Sequence, residues 1–228
     1  MQLTETFGFI SFVIAQVEEM GVLTWLQTKF IEGGFFMWPI LSCLVIGLGF
    51  SFERIYTLSK ASVNTKKFLV DIKNALSKGG VNQAIKLCEN SRGSIASVFH
   101  AGLLRADEGL EASEKAIMAY GSIEMGFLER GLIWISTFIT ISPMLGFTGT
   151  VQGMIDAFDA IKEAAQISPA VVAGGISVAL LTTLFGLVVA MILQVFYNYF
   201  VSRIDKLVAD MEESSIELID ALYEMKSK

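Results

Sequence analysis

Charged residues are missing from three long stretches of this 228-residue chain. Eighteen uncharged residues run from Phe35 to Phe52, 25 from Gly131 to Ile155 and 36 from Ile167 to Ser202. About 20 predominantly apolar residues cross a hydrocarbon core as a helix, the one single-segment form that satisfies its own backbone without water. The pattern therefore predicts three transmembrane helices. Composition agrees, with 53% hydrophobic and 18% charged residues and a mean hydropathy of +0.58, far from the balance of a soluble domain. Pro39 opens the first run and Ser168-Pro169 the third, where a missing N–H costs least. Pro143 falls inside the second run and is expected to kink it.

Orientation follows from the basic residues. Eleven Lys and Arg lie between Glu53 and Arg130 and four between Arg203 and Lys228, against Lys29 and Lys162 alone elsewhere. By the positive-inside rule the N-terminus and the loop near Lys162 face out, and the central segment and tail face the cytoplasm. The resulting organisation is a periplasmic, interfacial segment 1–33, a first span 34–55, a cytoplasmic helical domain 56–130, a second span 131–156, a periplasmic loop 157–167, a third span 168–202 and a cytoplasmic helix 203–228. A cleaved signal peptide fits poorly, because the first 30 residues lack a basic start and carry Glu5, Glu18 and Glu19.

The cytoplasmic domain reads as amphipathic helices. Phe68, Leu69, Ile72, Ala75 and Leu76 form one stripe. Val81, Ala84, Ile85 and Cys88 form another after the turn Ser77-Lys78-Gly79-Gly80, and Ile95, Val98, Phe99 and Leu103 a third after Arg92-Gly93. From Leu110 to Ile155 only Pro143 interrupts the pattern, so a cytoplasmic helix is expected to run straight into the second span. Pro169 to Met225 holds no proline, enough for about 85 Å of helix against a core near 30 Å. Its tail spaces Ile204, Leu207, Met211, Leu218 and Met225 for packing on copies of itself or on this chain's central helices.

Several chemistries are excluded. A net charge of −6 and no basic, aromatic-interleaved surface argue against nucleic acid. There is no phosphate-binding Gly-rich loop, no Cys-x-x-Cys and no Ser-His-Asp set. The only histidine, His100, is a cytoplasmic residue, so neither a catalytic site, a metal site nor a cofactor is expected. Cys43 and Cys88 read as free, buried thiols.

On helical wheels, Gly175, Ala179, Thr182, Thr183, Gly186 and Ala190 share one face of the third span, and Ser142, Gly146, Gly149, Thr150, Gly153 and Ala157 one face of the second. These smooth, slightly polar faces either pack on each other or line a conduit around another helix. The opposite faces carry Leu184, Phe185, Val188, Ile192, Phe147, Met154 and Ile155. None of the three uncharged runs contains a carboxylate, so if ions move, the titrating group comes from another subunit, with threonine hydroxyls able to donate and accept around it.

The run Ser142-Pro143-Met144-Leu145-Gly146-Phe147-Thr148-Gly149-Thr150-Val151-Gln152-Gly153-Met154 resembles the second-span signature of the MotA/TolQ/ExbB proton-channel family. Supporting matches are Met37-Trp38-Pro39, Glu53-Arg54, Ala84 to Gly93, Leu128-Glu129-Arg130 and Ala179 to Leu187. Three spans with the N-terminus outside resemble the ExbB and TolQ types more than the four-span MotA type, with ExbB nearest.

The resemblance implies an all-α membrane protein forming a homopentameric ring around a dimer of a single-span, ExbD-like partner that carries a proton-binding aspartate. The motor would drive a TonB-like protein and so energise outer-membrane transport. By motif position Thr183 resembles the threonine that faces that aspartate, with Thr150 across from it. Thr182, Ser142 and Ser177 join the polar track, and Thr182 is expected nearer the edge of its face. Pro143, Gly146, Gly149, Gly153, Gly175, Ala179 and Gly186 would serve helix packing or the partner. The sequence departs from the family at Ile141, where a threonine is frequent two residues before the proline, and at Val178, often glutamate. A TolQ-like envelope motor subunit and a non-conducting scaffold are the alternatives.

Overall fold

A computed structural model describes residues 21–61, 65–91, 93–163 and 169–227. The expectations for Glu5, Glu18, Glu19, Arg92 and Ser168 lie outside these. All described elements are helical. In chain order they are α1 (Val22–Glu32), α2 (Met37–Ala61), α3 (Thr65–Asn90), α4 (Ser94–Leu104), a 3-10 turn (Ala106–Glu108), α5 (Leu110–Glu129), α6 (Leu132–Glu163) and α7 (Pro169–Ser227). Among the described residues, three helical stretches are long and apolar enough to cross a membrane, those containing α2, α6 and α7.

The residues fall into two compact units, one drawn from Met1–Gly47 and Thr137–Leu193, the other from Leu48–Ser136 and Gln194–Lys228. In the first, α6 and α7 lie so close that even a single methyl is shut out at the seam glycines. A Cβ on Gly186 would stand 2.6 Å from the Ser142 carbonyl oxygen, and one on Gly146 2.8 Å from that of Thr182. Further along the same face of α7, a Cβ on Gly47 of α2 would meet Leu193 at 2.7 Å. The helix continues through Pro143, and the hydroxyl of Ser142 donates to the Phe138 carbonyl at 2.8 Å.

The second unit is built the opposite way, from large apolar side chains. Phe99 and Ile72 are fully enclosed, and Phe68 stacks on Phe99 at 5.9 Å. The tail of α7 buries Ile204, Met211, Leu218 and Leu222 within the chain, and Glu217 pairs with Lys73 of α3 at 2.6 Å. The tail stripe thus packs on this chain's own helices. Gly102 lets α4 and α5 approach, since a Cβ there would meet Ile117 at 2.4 Å. The turn at Ser77-Lys78-Gly79-Gly80 is present as a break in α3 at Gly80, whose φ of 68° and ψ of −168° leave the helical region.

One expectation fails here. The helix from Leu110 does not run into the second span but stops at Glu129, and α6 starts at Leu132. Gly131, at φ 94°, takes a conformation closed to most side chains. Arg54, 5% exposed, donates to the carbonyls of Leu128 at 3.2 Å and Phe127 at 3.5 Å. These are carbonyls that a helix end leaves without intrahelical donors, at the negative end of its dipole. Glu53 holds the guanidinium from its other side at 2.9 Å.

Cys43 and Cys88 are free and buried. Burial, helped by the neighbouring Glu89, pushes the Cys88 thiol up to about 12, so it stays protonated at neutral pH. His100 sits with Nε2 3.7 Å from a Glu89 carboxylate oxygen.

Candidate functional site

The α6–α7 seam follows from residue size. Two helices approach closely only where both present Gly, Ala, Ser or Thr, and in lipid this contact replaces the hydrophobic drive available in water. The seam is continuous. Gly146 and Gly149 lie against Thr182, Gly153 against Ala179 and Gly175, Gly175 against Ala157, and Gly186 against Ser142 and Gly146. The smooth faces predicted for the two spans are therefore each other's partners.

Within the seam the hydroxyls separate into two classes. Ser142 and Thr182 are 0% and 1% exposed, and each donates back to its own helix, Ser142 to Phe138 at 2.8 Å and Thr182 to Ala179 at 2.8 Å. Back-bonding of this kind is a common habit of helical hydroxyls. Thr182 lies at the centre of the packed face, not near its edge, because it fills the hollow over Gly149.

Thr150 and Thr183 behave differently. They are half-buried and in direct hydroxyl–hydroxyl contact across the two helices. Thr183 donates across the seam to the Gly146 carbonyl at 3.2 Å, and the Thr150 hydroxyl reaches the Ala179 carbonyl at 3.1 Å and that of Gly146 at 3.2 Å. Two hydroxyl protons are shared among two carbonyls and the hydroxyl–hydroxyl contact, too few for all at once, so oxygen lone pairs remain free to accept from an acid O–H. A hydroxyl turned away from its carbonyl can donate to a carboxylate. Bare seam glycines make this possible by keeping the helices close enough for cross-helix bonding.

Ser177 stands exposed on α7, apart from this pair. Pro143 is half-buried. Of the predicted outward residues, Leu184, Val188, Ile192, Phe147 and Ile155 are exposed, and Phe185 and Met154 half-buried. Sequence reasoning missed the role of Arg54. Its signal was an isolated cation at the end of an apolar run, beside an acid, but nothing local names its acceptors.

These features define a multi-pass α-helical membrane protein with a polar pair set in a small-residue helix seam. The chain belongs to the MotA/TolQ/ExbB proton channel family, whose model matches residues 90–213. A Methanothermobacter thermautotrophicus protein named as a biopolymer transport protein ExbB homolog is 33% identical over 191 residues, 83% of this chain and 66% of that one. A Synechocystis protein named ExbB-like is 28% identical over 195 residues, 83% of this chain and 92% of its own length. The biopolymer transport protein ExbB of Salmonella typhimurium is 34% identical over 106 residues, 46% of this chain and 42% of that protein. The chain thus spans about two thirds or less of the first and third of these relatives. The relatives and the family model support the kinship to ExbB expected from the second-span motif.

Proposed function

We propose that this chain is the channel-forming subunit of an inner-membrane, proton-driven motor. It assembles as a homopentamer around a dimer of an ExbD-like single-span partner, and the motor drives a TonB-like protein that energises outer-membrane transport. The N-terminus faces the periplasm and the C-terminus the cytoplasm, as the distribution of Lys and Arg argues. The small faces of α6 and α7 meet within one chain, so ring formation draws instead on outward apolar residues such as Phe147 and Leu184, 67% and 49% exposed.

The observation that carries the reading is the Thr150–Thr183 pair. An ionised carboxylate in a nearly dry membrane interior needs hydrogen bonds, and these two hydroxyls are the groups of the seam whose bonding is not confined to their own helix. An aspartate from the partner would bond to them while charged and release them when protonated. Thr183 faces the acid, and Thr150 backs it by holding the Thr183 oxygen in place. Ser142 and Thr182 flank the pair from inside the seam, bonded to their own helices, and Ser177 stands outside it, while Pro143, Gly146, Gly149, Gly153, Gly175, Ala179 and Gly186 set the spacing of the two helices.

Thr183→Val keeps the shape and removes the hydroxyl. A hydrogen bond to a charged group contributes about 1.5–3 kcal/mol, so proton flux through the assembled complex should fall roughly ten- to hundred-fold. Thr182→Val should do less. Native gels establish that the complex is intact, and proton flux in liposomes reads the effect. Full flux through an intact Thr183→Val complex removes this residue from the pathway. A TolQ-like role in an envelope-maintenance motor uses the same pair, since the matched family includes that type. A non-conducting scaffold predicts no flux from any variant or from the unsubstituted chain.

A further inference from the structure

The second unit contains a groove that the proton-pathway reading does not use. It lies between α5 and the tail of α7 and encloses about 600 Å³. Ile117 and Met211 form its buried floor, while Met118 and Ile216 on its walls are 64% and 65% exposed. Its charged lining residues, Glu114, Glu212 and Asp220, are all acidic. None of the three forms a salt bridge among the described residues. Met118, Met125 and Met211 make the apolar surface unbranched and adaptable, the kind that repacks around different helices.

We infer that this groove docks a basic amphipathic helix of a partner protein, apolar at i, i+3, i+4 and i+7 with Lys or Arg flanking. The groove runs along α5 from Glu114 to Met125 and along α7 from Val208 to Asp220, about 18 Å or three turns at 1.5 Å per residue. The rim selects the charge of the occupant. Anionic headgroups of a lipid surface would be repelled by the three carboxylates, whereas Lys or Arg flanking an apolar helix face would pair with them.

The test uses the full chain in neutral detergent with Ile216→Cys, or Met118→Cys as a second position. The native cysteines are buried, so maleimide reads the introduced thiol. The probe is a 14-residue peptide with Leu at i, i+3, i+4 and i+7 and Lys elsewhere, beside the same peptide with Glu in place of Lys. The Lys peptide should slow labelling at least ten-fold and the Glu peptide should not. The protection should weaken with salt and be lost in Glu114→Gln/Glu212→Gln/Asp220→Asn. Equal protection by both peptides, or by neither, overturns the inference without help from the triple variant. Protection without peptide that disappears on dissociation into single chains assigns the groove to a second copy and overturns it too.

Discussion

The α6–α7 seam and the α3–α5 core reach close packing by opposite means. The seam brings backbones together, with Gly186 opposite Ser142 and Gly146 opposite Thr182. The core brings side chains together, with Phe68 stacked on Phe99 and Ile72 enclosed beside them. The difference reflects the solvent each was built for. Water rewards the burial of large apolar area at about 25 cal/mol per Å². Lipid tails do not, so helices there gain from proximity and from polar groups paired between them.

The sharpest way to break this comparison is to empty the core. Phe99→Ala should cost about 3–5 kcal/mol, seen as faster amide hydrogen exchange across α3, α4 and α5. A loss below about 1 kcal/mol would show that the second unit is not organised around this side chain.

Filling the seam should cost less in energy but more in assembly. Gly149→Leu or Gly153→Leu overpacks positions where a Cβ alone would stand 2.6 or 3.1 Å from its neighbour, costing roughly 1–3 kcal/mol. The complex should dissociate on native gels, whereas Ile192→Leu, on an exposed position, should leave it intact. Equal tolerance at all three would mean the close approach is not needed.

The smallest effect has the opposite sign. A methyl group added at Gly126 of α5 would meet nothing within 4 Å, so Gly126→Ala should stabilise α5 by about 0.5–1 kcal/mol through helix propensity. Thermal melting of the detergent-solubilised chain would register it, and a fall in melting temperature would place an unseen neighbour at that site.

Much of the architecture was legible because it is local. Uncharged runs mark the spans, and the stripe Phe68, Leu69, Ile72 and Leu76 marks a helix that the structure buries along that face. The small faces were also legible, since Gly146, Gly149 and Gly153 recur at helical spacing. Their partner was not. A wheel shows that two faces are smooth but not whether they meet each other or surround a third helix, because both uses need the same small residues.

The sequence by itself determined three apolar helices, two smooth faces and a striped tail, since charge, residue size and spacing act within a few residues along one chain. Only the tertiary structure decided that Thr182 is sealed over Gly149 while Thr183 meets Thr150 across the seam. Adjacent positions differ by about 100° around a helix, and which one bonds across depends on where the neighbouring helix lies. Tertiary structure likewise decided the break before α6. Gly131 alone permits a turn, and Arg54, 74 positions before the carbonyl it binds at Leu128, supplies the donors that let α5 end there.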